Sequence, residues 1–194
     1  MRQELLLLMM LSGCCAALNA QASKPETGSN AASLASLIQA LKGNWHLKVH
    51  LAPMGASEKA IDGEGEESWS AGPGNITLIE KEHTPMPGGY ADLLGLVWWD
   101  NKAKRFGGME CYSEMPITCD PKAAVNDITV SWDGRKLEIE MKETHGDKHY
   151  VLHESWMNIT ADGFDQIGDL TMDDGSTLRF MTVHATRVEK LNAF

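Results

Sequence analysis

Basic residues are scarce in this chain. Lys and Arg number 17 against 27 Asp and Glu, a formal net charge of −10. That imbalance excludes nucleic acid as a partner, because the phosphates would be repelled and no run of Lys or Arg offers a local exception. Long apolar runs are equally few. Leu5 to Leu11 is one, and it is too short for a comfortable membrane span. Catalytic signatures are missing as well. There is no His-Glu-x-x-His, no Cys/His ligand pair, no EF-hand loop and no Gly-x-Ser-x-Gly elbow. No catalytic residue, metal or cofactor is therefore assigned.

What is present begins with an address. Met1 to Glu4 leads into the apolar run, and Ala20-Gln21-Ala22 forms a small-x-small cleavage site, so residues 1–22 read as a signal peptide. Leu11-Ser12-Gly13-Cys14 competes as a lipobox, in which Cys14 is lipidated and anchors the domain to a membrane face. Both readings place the domain in a bacterial cell envelope or periplasm, lipid-anchored or soluble and secreted. After cleavage at Ala22, Cys111 and Cys119 remain. In an exported protein they read as a disulfide, which would stabilise by about 2–3 kcal/mol in the chain-entropy model. Two free buried thiols are the alternative.

Residues 23–33 are rich in Ala, Ser and Asn and read as a tether. Leu34, Leu37, Ile38 and Leu41 have helical spacing, with Ser33 as N-cap and Gly43 as the stop, so the pattern predicts a helix over 34–42. Trp45, Leu47, Val49 and Leu51 then alternate with His46, Lys48 and His50, the period of a half-buried strand. Strand patterns follow near 62–70, 75–82, 90–99, 105–112, 126–132, 135–143, 147–158, 163–172 and 176–189. Turn chemistry separates them, Asp133-Gly134 most clearly. The stretch from Leu93 to Trp99 is apolar on both faces. Leu94, Leu96 and Trp98 share one face, and Leu93, Val97 and Trp99 the other.

So long a meander leaves bare edges unless it closes. The expected fold is mostly β: an up-and-down antiparallel barrel of about eight to ten strands over residues 34–190, with one short N-terminal helix. A β-sandwich is the competing architecture.

Leu41-Lys42-Gly43-Asn44-Trp45 resembles the Gly-x-Trp start of lipocalins and the wider calycin group, in which the Trp closes the barrel base. With Gly63-x-Gly65, the Leu-Gly-Leu-Val-Trp-Trp-Asp run and the final strand Phe180 to Arg187, residues 34–190 resemble a bacterial family of secreted lipocalin-like domains of unknown function. The resemblance implies a barrel and no agreed activity. The related nitrobindin-like barrels bind haem through a histidine near the C-terminus, and His184 occupies a comparable place. The Gly-rich repeat that follows the Trp in that group is replaced here by His46-Leu47-Lys48-Val49-His50.

Six tryptophans and 11 methionines supply aromatic and adaptable apolar volume. Trp45, Trp69, Leu96, Trp98, Trp132, Trp156 and His184 are the candidate ligand-binding residues. Each tryptophan is equally explicable as core. His46 and His50 lie about 13 Å apart along one strand face, too far to share a metal, and His149 and His153 have the same spacing. Asp62, Glu64 and Glu66 share a strand face that reads as solvated, with Glu67 beside them. Thr84 to Tyr90 reads as a loop, either an ordinary connection or a lid over a barrel mouth.

The functional expectation is an exported barrel that binds one small apolar or amphipathic molecule. A cell-envelope interaction module is the runner-up, with the outer face of the 93–99 strand as a homodimer surface. An enzyme or a haem-binding barrel ranks below both.

Overall fold

The structure is a computed structural model that describes residues 31–53, 59–113, 127–145 and 148–191. The expected leader over 1–22, Cys14, the first part of the tether and Cys119 lie outside the described residues.

Among the described residues, one α-helix, α1 (Ala31–Leu41), precedes ten strands. These are β1 (Gly43–Leu51), β2 (Ile61–Ala71), β3 (Thr77–Met86), β4 (Gly89–Asp100), β5 (Arg105–Tyr112), β6 (Ile128–Trp132), β7 (Leu137–His145), β8 (Lys148–Met157), β9 (Gly163–Met172) and β10 (Thr177–Val188). Each strand pairs antiparallel with its sequence neighbours, and β1 also pairs with β10, so the meander closes into a barrel. Closure removes the free edges that a sheet of this size would otherwise expose, and it rules out the sandwich.

The helix begins at Ala31, two residues before the Ser33 cap predicted from sequence. Ala31 and Ala32 are good helix formers and extend the first turn. Its apolar stripe of Leu34, Leu37, Ile38 and Leu41 is buried in the same core as the inward side chains of the strands. Leu37 and Leu41 are fully buried, each contributing about 1.5–3 kcal/mol by area. Two tryptophans pin the helix: Trp45 Nε1 donates to Leu41 O at 2.9 Å and Trp132 Nε1 to Ser36 Oγ at 2.8 Å.

The helix closes the end of the barrel where β1 begins. An aromatic layer lies beneath it. Trp45 meets Phe164 edge-on at 4.8 Å between ring centroids, and Trp69 meets Trp156 at 6.1 Å and 87°. The opposite end carries the connections that follow β1, β3, β5, β7 and β9, and among the described residues no helix lies across it.

The segment from Thr84 to Tyr90 is strand rather than loop or lid. Pro85 pairs with Tyr90 and Met86 with Gly89, leaving Pro87-Gly88 as the turn. Gly88 has φ +98°, which a glycine adopts without penalty. The β2–β3 ladder ends at Glu66–His83. Pro85 has no N–H to carry it further, and its ring lies against the bare faces of Gly63 and Gly65.

On β4 the inner face carries Leu93, Gly95, Val97 and Trp99, and the outer face Leu94, Leu96 and Trp98. Trp98 covers Gly107 of β5, whose missing side chain leaves room for the indole. The second apolar face of this strand thus partly packs onto its own sheet.

Candidate functional site

Counting by twos from inward residues locates the polar part of the interior. On β2, Gly65, Glu67 and Trp69 face inward; on β3, Leu78, Glu80, Glu82 and Thr84 do so. β5 adds Phe106, Gly108, Glu110 and Tyr112, β8 adds Leu152, Glu154 and Trp156, and β9 adds Gln166. Glu67, Glu80, Glu82, Glu110 and Glu154 are all buried, between 0 % and 7 % exposed. Among the described residues no Lys, Arg or His is buried with them. A layer of five carboxyls therefore crosses the barrel between the aromatic end and the open end.

Such a layer cannot be fully ionised, because desolvation and mutual repulsion both favour the neutral acid. Burial, then the charge of Glu82, pushes the Glu67 carboxyl up to about 8. Burial pushes Glu82 up to about 7, against the opposing effect of the Thr84 hydroxyl. Glu80 and Glu154 lie well above the ordinary carboxyl range, again chiefly through burial and then through neighbouring carboxylates. The Tyr112 phenol is raised for the same reasons and stays protonated.

Hydrogen bonds divide the protons among these groups. Trp69 Nε1 donates to Glu67 Oε1 at 2.5 Å, and contact with Glu80 favours a charged Glu67 and a protonated Glu80. Tyr112 Oη donates to Glu110 Oε2 at 3.2 Å. Glu67 Oε2, Thr84 Oγ1 and Trp156 Nε1 are buried without a hydrogen bond of accepted geometry. Trp156 and Thr84 nevertheless lie close enough to Glu67 and Glu82, respectively, to favour the ionised carboxyl. Among the described residues, no three His, Cys, Asp or Glu side chains are placed to hold a metal ion.

At the open end the layer borders a cavity of about 250 Å3. Its walls are apolar, built mainly by Leu51, Ile61, Met86, Leu152, Leu170 and Met181. Glu82, Thr84 and Tyr112 supply its polar side, and Lys59 and Tyr150 also line it. The cavity is smaller than a drug-sized site, which runs to about 300–1,000 Å3. It suits a small molecule with an apolar body and one polar end.

The residues singled out from sequence fall in three places. Trp45, Trp69, Trp132 and Trp156 are buried at the aromatic end, in the core rather than on the cavity wall. Leu96 and Trp98 point outward from β4. His184 also points outward, its side chain 65 % exposed, with Nδ1 2.8 Å from Asp165 Oδ1. A molecule inside the barrel would touch none of these three. Cys111 lies on β5 opposite Leu94, and Cys119 is outside the described residues.

Other histidines behave like His184. His50 pairs with Asp62 at 2.7 Å, His83 with Asp92 at 2.8 Å and His153 with Glu140 at 3.5 Å, all on the outer wall. Asp62, Glu64 and Glu66 face outward as expected, whereas Glu67 faces inward.

No family model matches this sequence, and no curated protein matches it. Among solved structures it is similar to the crystal structure of Rv2717c from M. tuberculosis, at 11 % identity and a TM-score of 0.50. The match covers 80 % of this chain and 97 % of that one. At that identity the likeness concerns the fold alone: a closed antiparallel barrel.

Proposed function

We propose that this chain is a lipocalin-like binding barrel that takes one small amphipathic molecule into the cavity at its open end. One observation carries the reading. An apolar cavity of about 250 Å3 inside a closed barrel meets a polar wall of Glu82, Thr84 and Tyr112 at a single side. Concave, mostly apolar sites with a few convergent polar groups are where small molecules bind. The methionines Met86 and Met181 give the wall adaptable volume.

Native mass spectrometry of the gently purified protein tests this first. A co-purified small molecule, lost in a Leu152→Trp variant that fills the cavity, is the expected result. A ligand retained by that folded variant sinks the reading, and so does a wild-type protein that takes up no amphipathic probe.

We also propose that the protein works outside the cytoplasm, by way of the 1–22 leader or of lipidated Cys14, with Cys111 and Cys119 joined. Cys14→Ser should move a lipid-anchored form from the membrane fraction to the soluble one. Unchanged fractionation leaves cleavage after Ala22 standing.

A second reading, an envelope interaction module, draws on the outer face of β4, where Leu94 is 39 % exposed beside Leu96. Light scattering at high concentration decides it, since a persistent monomer removes the homodimer version.

A further inference from the structure

We infer that the molecule taken into this cavity carries a cationic head, a protonated amine on a short apolar body, and that Glu82 is the group that receives it. The inference rests on the binding reading above and names the chemistry of the ligand.

Three observations support it. The first is the sign of the interior. The five buried carboxyls, Glu67, Glu80, Glu82, Glu110 and Glu154, have no buried cation among the described residues to answer them. Glu82 alone of the five also lines the cavity. It is thus the point where the layer can meet something from outside.

The second is Thr84. Its side chain is 5 % exposed and lines the same cavity, and Oγ1 makes no hydrogen bond of accepted geometry. A hydroxyl has two acceptor lone pairs, and an ammonium has three donors. Glu82 and Thr84 stand two residues apart on one face of β3, so a single ammonium can donate to both.

The third is the remaining wall. Apart from the tyrosines Tyr112 and Tyr150, that wall is mainly Leu51, Ile61, Met86, Leu152, Leu170 and Met181, which offer nothing to a second polar group. The body of the ligand is therefore apolar. A carboxylate-headed molecule would meet the acidic layer with a like charge. One cation competes from the rim: Lys59, an exposed residue whose stem lines the cavity and whose ammonium can stay in water.

The groups that face Glu82 fix what uptake does to protons. They are Glu80 on its own strand, Glu67 on β2, Glu110 and Tyr112 on β5, Glu154 on β8 and Lys59 at the rim. All but Lys59 are acids, and their mutual repulsion holds protons on the layer. Below about pH 7, where Glu82 holds its proton, entry of the ammonium sends that proton to solvent and leaves the carboxylate. The site then keeps its net charge, and one proton is released for each amine bound. Above that pH Glu82 is already the carboxylate and receives the ammonium without proton release.

Calorimetry on the full chain with octylamine, octanol and octanoate tests this at pH 6 and pH 8.5. The expected result is octylamine binding at least about tenfold tighter than octanol at pH 8.5. Its affinity should rise from pH 6 to pH 8.5, with about one proton released per amine at pH 6 and almost none at pH 8.5, as judged from two buffers of different ionisation heat. Octanol should show neither change. Glu82→Gln should remove the advantage of the amine and spare octanol. If that variant does not fold, the wild-type comparison at two pH values decides alone. Octanol or octanoate binding as tightly as octylamine overturns the cationic head and leaves the cavity reading standing. Failure of all three probes overturns both.

Discussion

Gly95 leaves the space that the Glu80 carboxyl occupies. A Cβ on Gly95 would fall 2.3 Å from Glu80 Oε2 and 3.0 Å from Glu80 Cβ. The two residues are register partners across β3 and β4, both facing inward. The glycine at the centre of the apolar Leu93 to Trp99 strand is thus a hole made for an acid.

Gly95→Ala should therefore destabilise the fold by about 1–3 kcal/mol, the usual range for overpacking a full interior. Combined with Glu80→Ala, the alanine at 95 should cost much less, because the side chain it collides with is gone. Urea unfolding of the two single variants and the double variant measures the coupling. A Gly95→Ala variant as stable as the wild type would remove Glu80 from this position.

The carboxyl layer makes stability fall as pH rises. In the unfolded chain Glu67 and Glu82 ionise near their ordinary value of 4.5; in the fold they ionise near 8 and 7. Between those values the folded state holds more protons than the unfolded one, so each rise in pH favours unfolding. The stabilising share is complete below about pH 4.5 and is lost by about pH 8. Each such group contributes a slope of up to about 1.4 kcal/mol per pH unit, and the coupled carboxyls titrate together. The surface carboxylates act in the opposite direction and at lower pH. Asp165 is held down by Asn158 and His184, and Asp169 by Arg179, so their share fades only in strong acid. The urea midpoint should be higher at pH 5 than at pH 8, and Glu67→Gln should flatten the difference. A midpoint that rises from pH 5 to pH 8 would contradict the buried layer.

The barrel was legible because most strands carry their own period. Trp45, Leu47, Val49 and Leu51 alternate with polar neighbours, and Asp133 caps its turn by accepting from Arg135 N and Lys136 N at 2.8 Å. Closure was open to inference from the edge problem alone, since the β1–β10 ladder pairs Trp45 with Arg187 from opposite ends of the chain. The carboxyl layer was hidden for two reasons. Glu67 ends a run of acids in which Glu64 and Glu66 are solvated, so composition suggested one exposed patch. On β3, Leu78 and Ile79 give both faces an apolar residue, so periodicity does not say whether Glu80 or Lys81 turns inward. Parity would have found part of it: Glu67 lies two residues before Trp69, and Glu154 two before Trp156. The cavity lining came from no motif. It is set by which strand ends face the opening, and that depends on closure.

The outer histidines should be nearly silent. His184 and Asp165, like His50 and Asp62, are exposed pairs on the barrel wall. Exposed pairs of this kind contribute about 0–1 kcal/mol. Replacing His50 or His184 by alanine should therefore leave the urea midpoint almost unchanged. It should also leave octylamine uptake unaltered. If haemin is added, any Soret band should be the same with and without His184. A band lost on His184→Ala would show that the outer wall carries a site, and would revive the haem-binding alternative.

Arg187 should matter far more than its place on a strand end suggests. Its guanidinium lies 4.0 Å over the Trp45 ring. It donates from Nη1 to Lys42 O at 2.7 Å and from Nε to Ala161 O. One side chain thus ties the α1–β1 junction, the β8–β9 connection and the aromatic floor together. Gly43 makes this contact feasible: it holds φ +147°, and a Cβ there would lie 1.9 Å from Arg187 Nη1. A cation–π contact contributes about 0.5–2 kcal/mol, and charged hydrogen bonds about 1.5–3 kcal/mol each. Arg187→Leu should cost several kcal/mol. Arg187→Lys should recover only part of this, because a point charge cannot serve two carbonyls and a ring at once. Gly43→Ala should lose stability by the same route, and should add little once Arg187 is already leucine. Thermal unfolding of these variants checks the set. Additive losses from Gly43→Ala and Arg187→Leu would show that the two residues act separately and that the guanidinium is not what Gly43 makes room for.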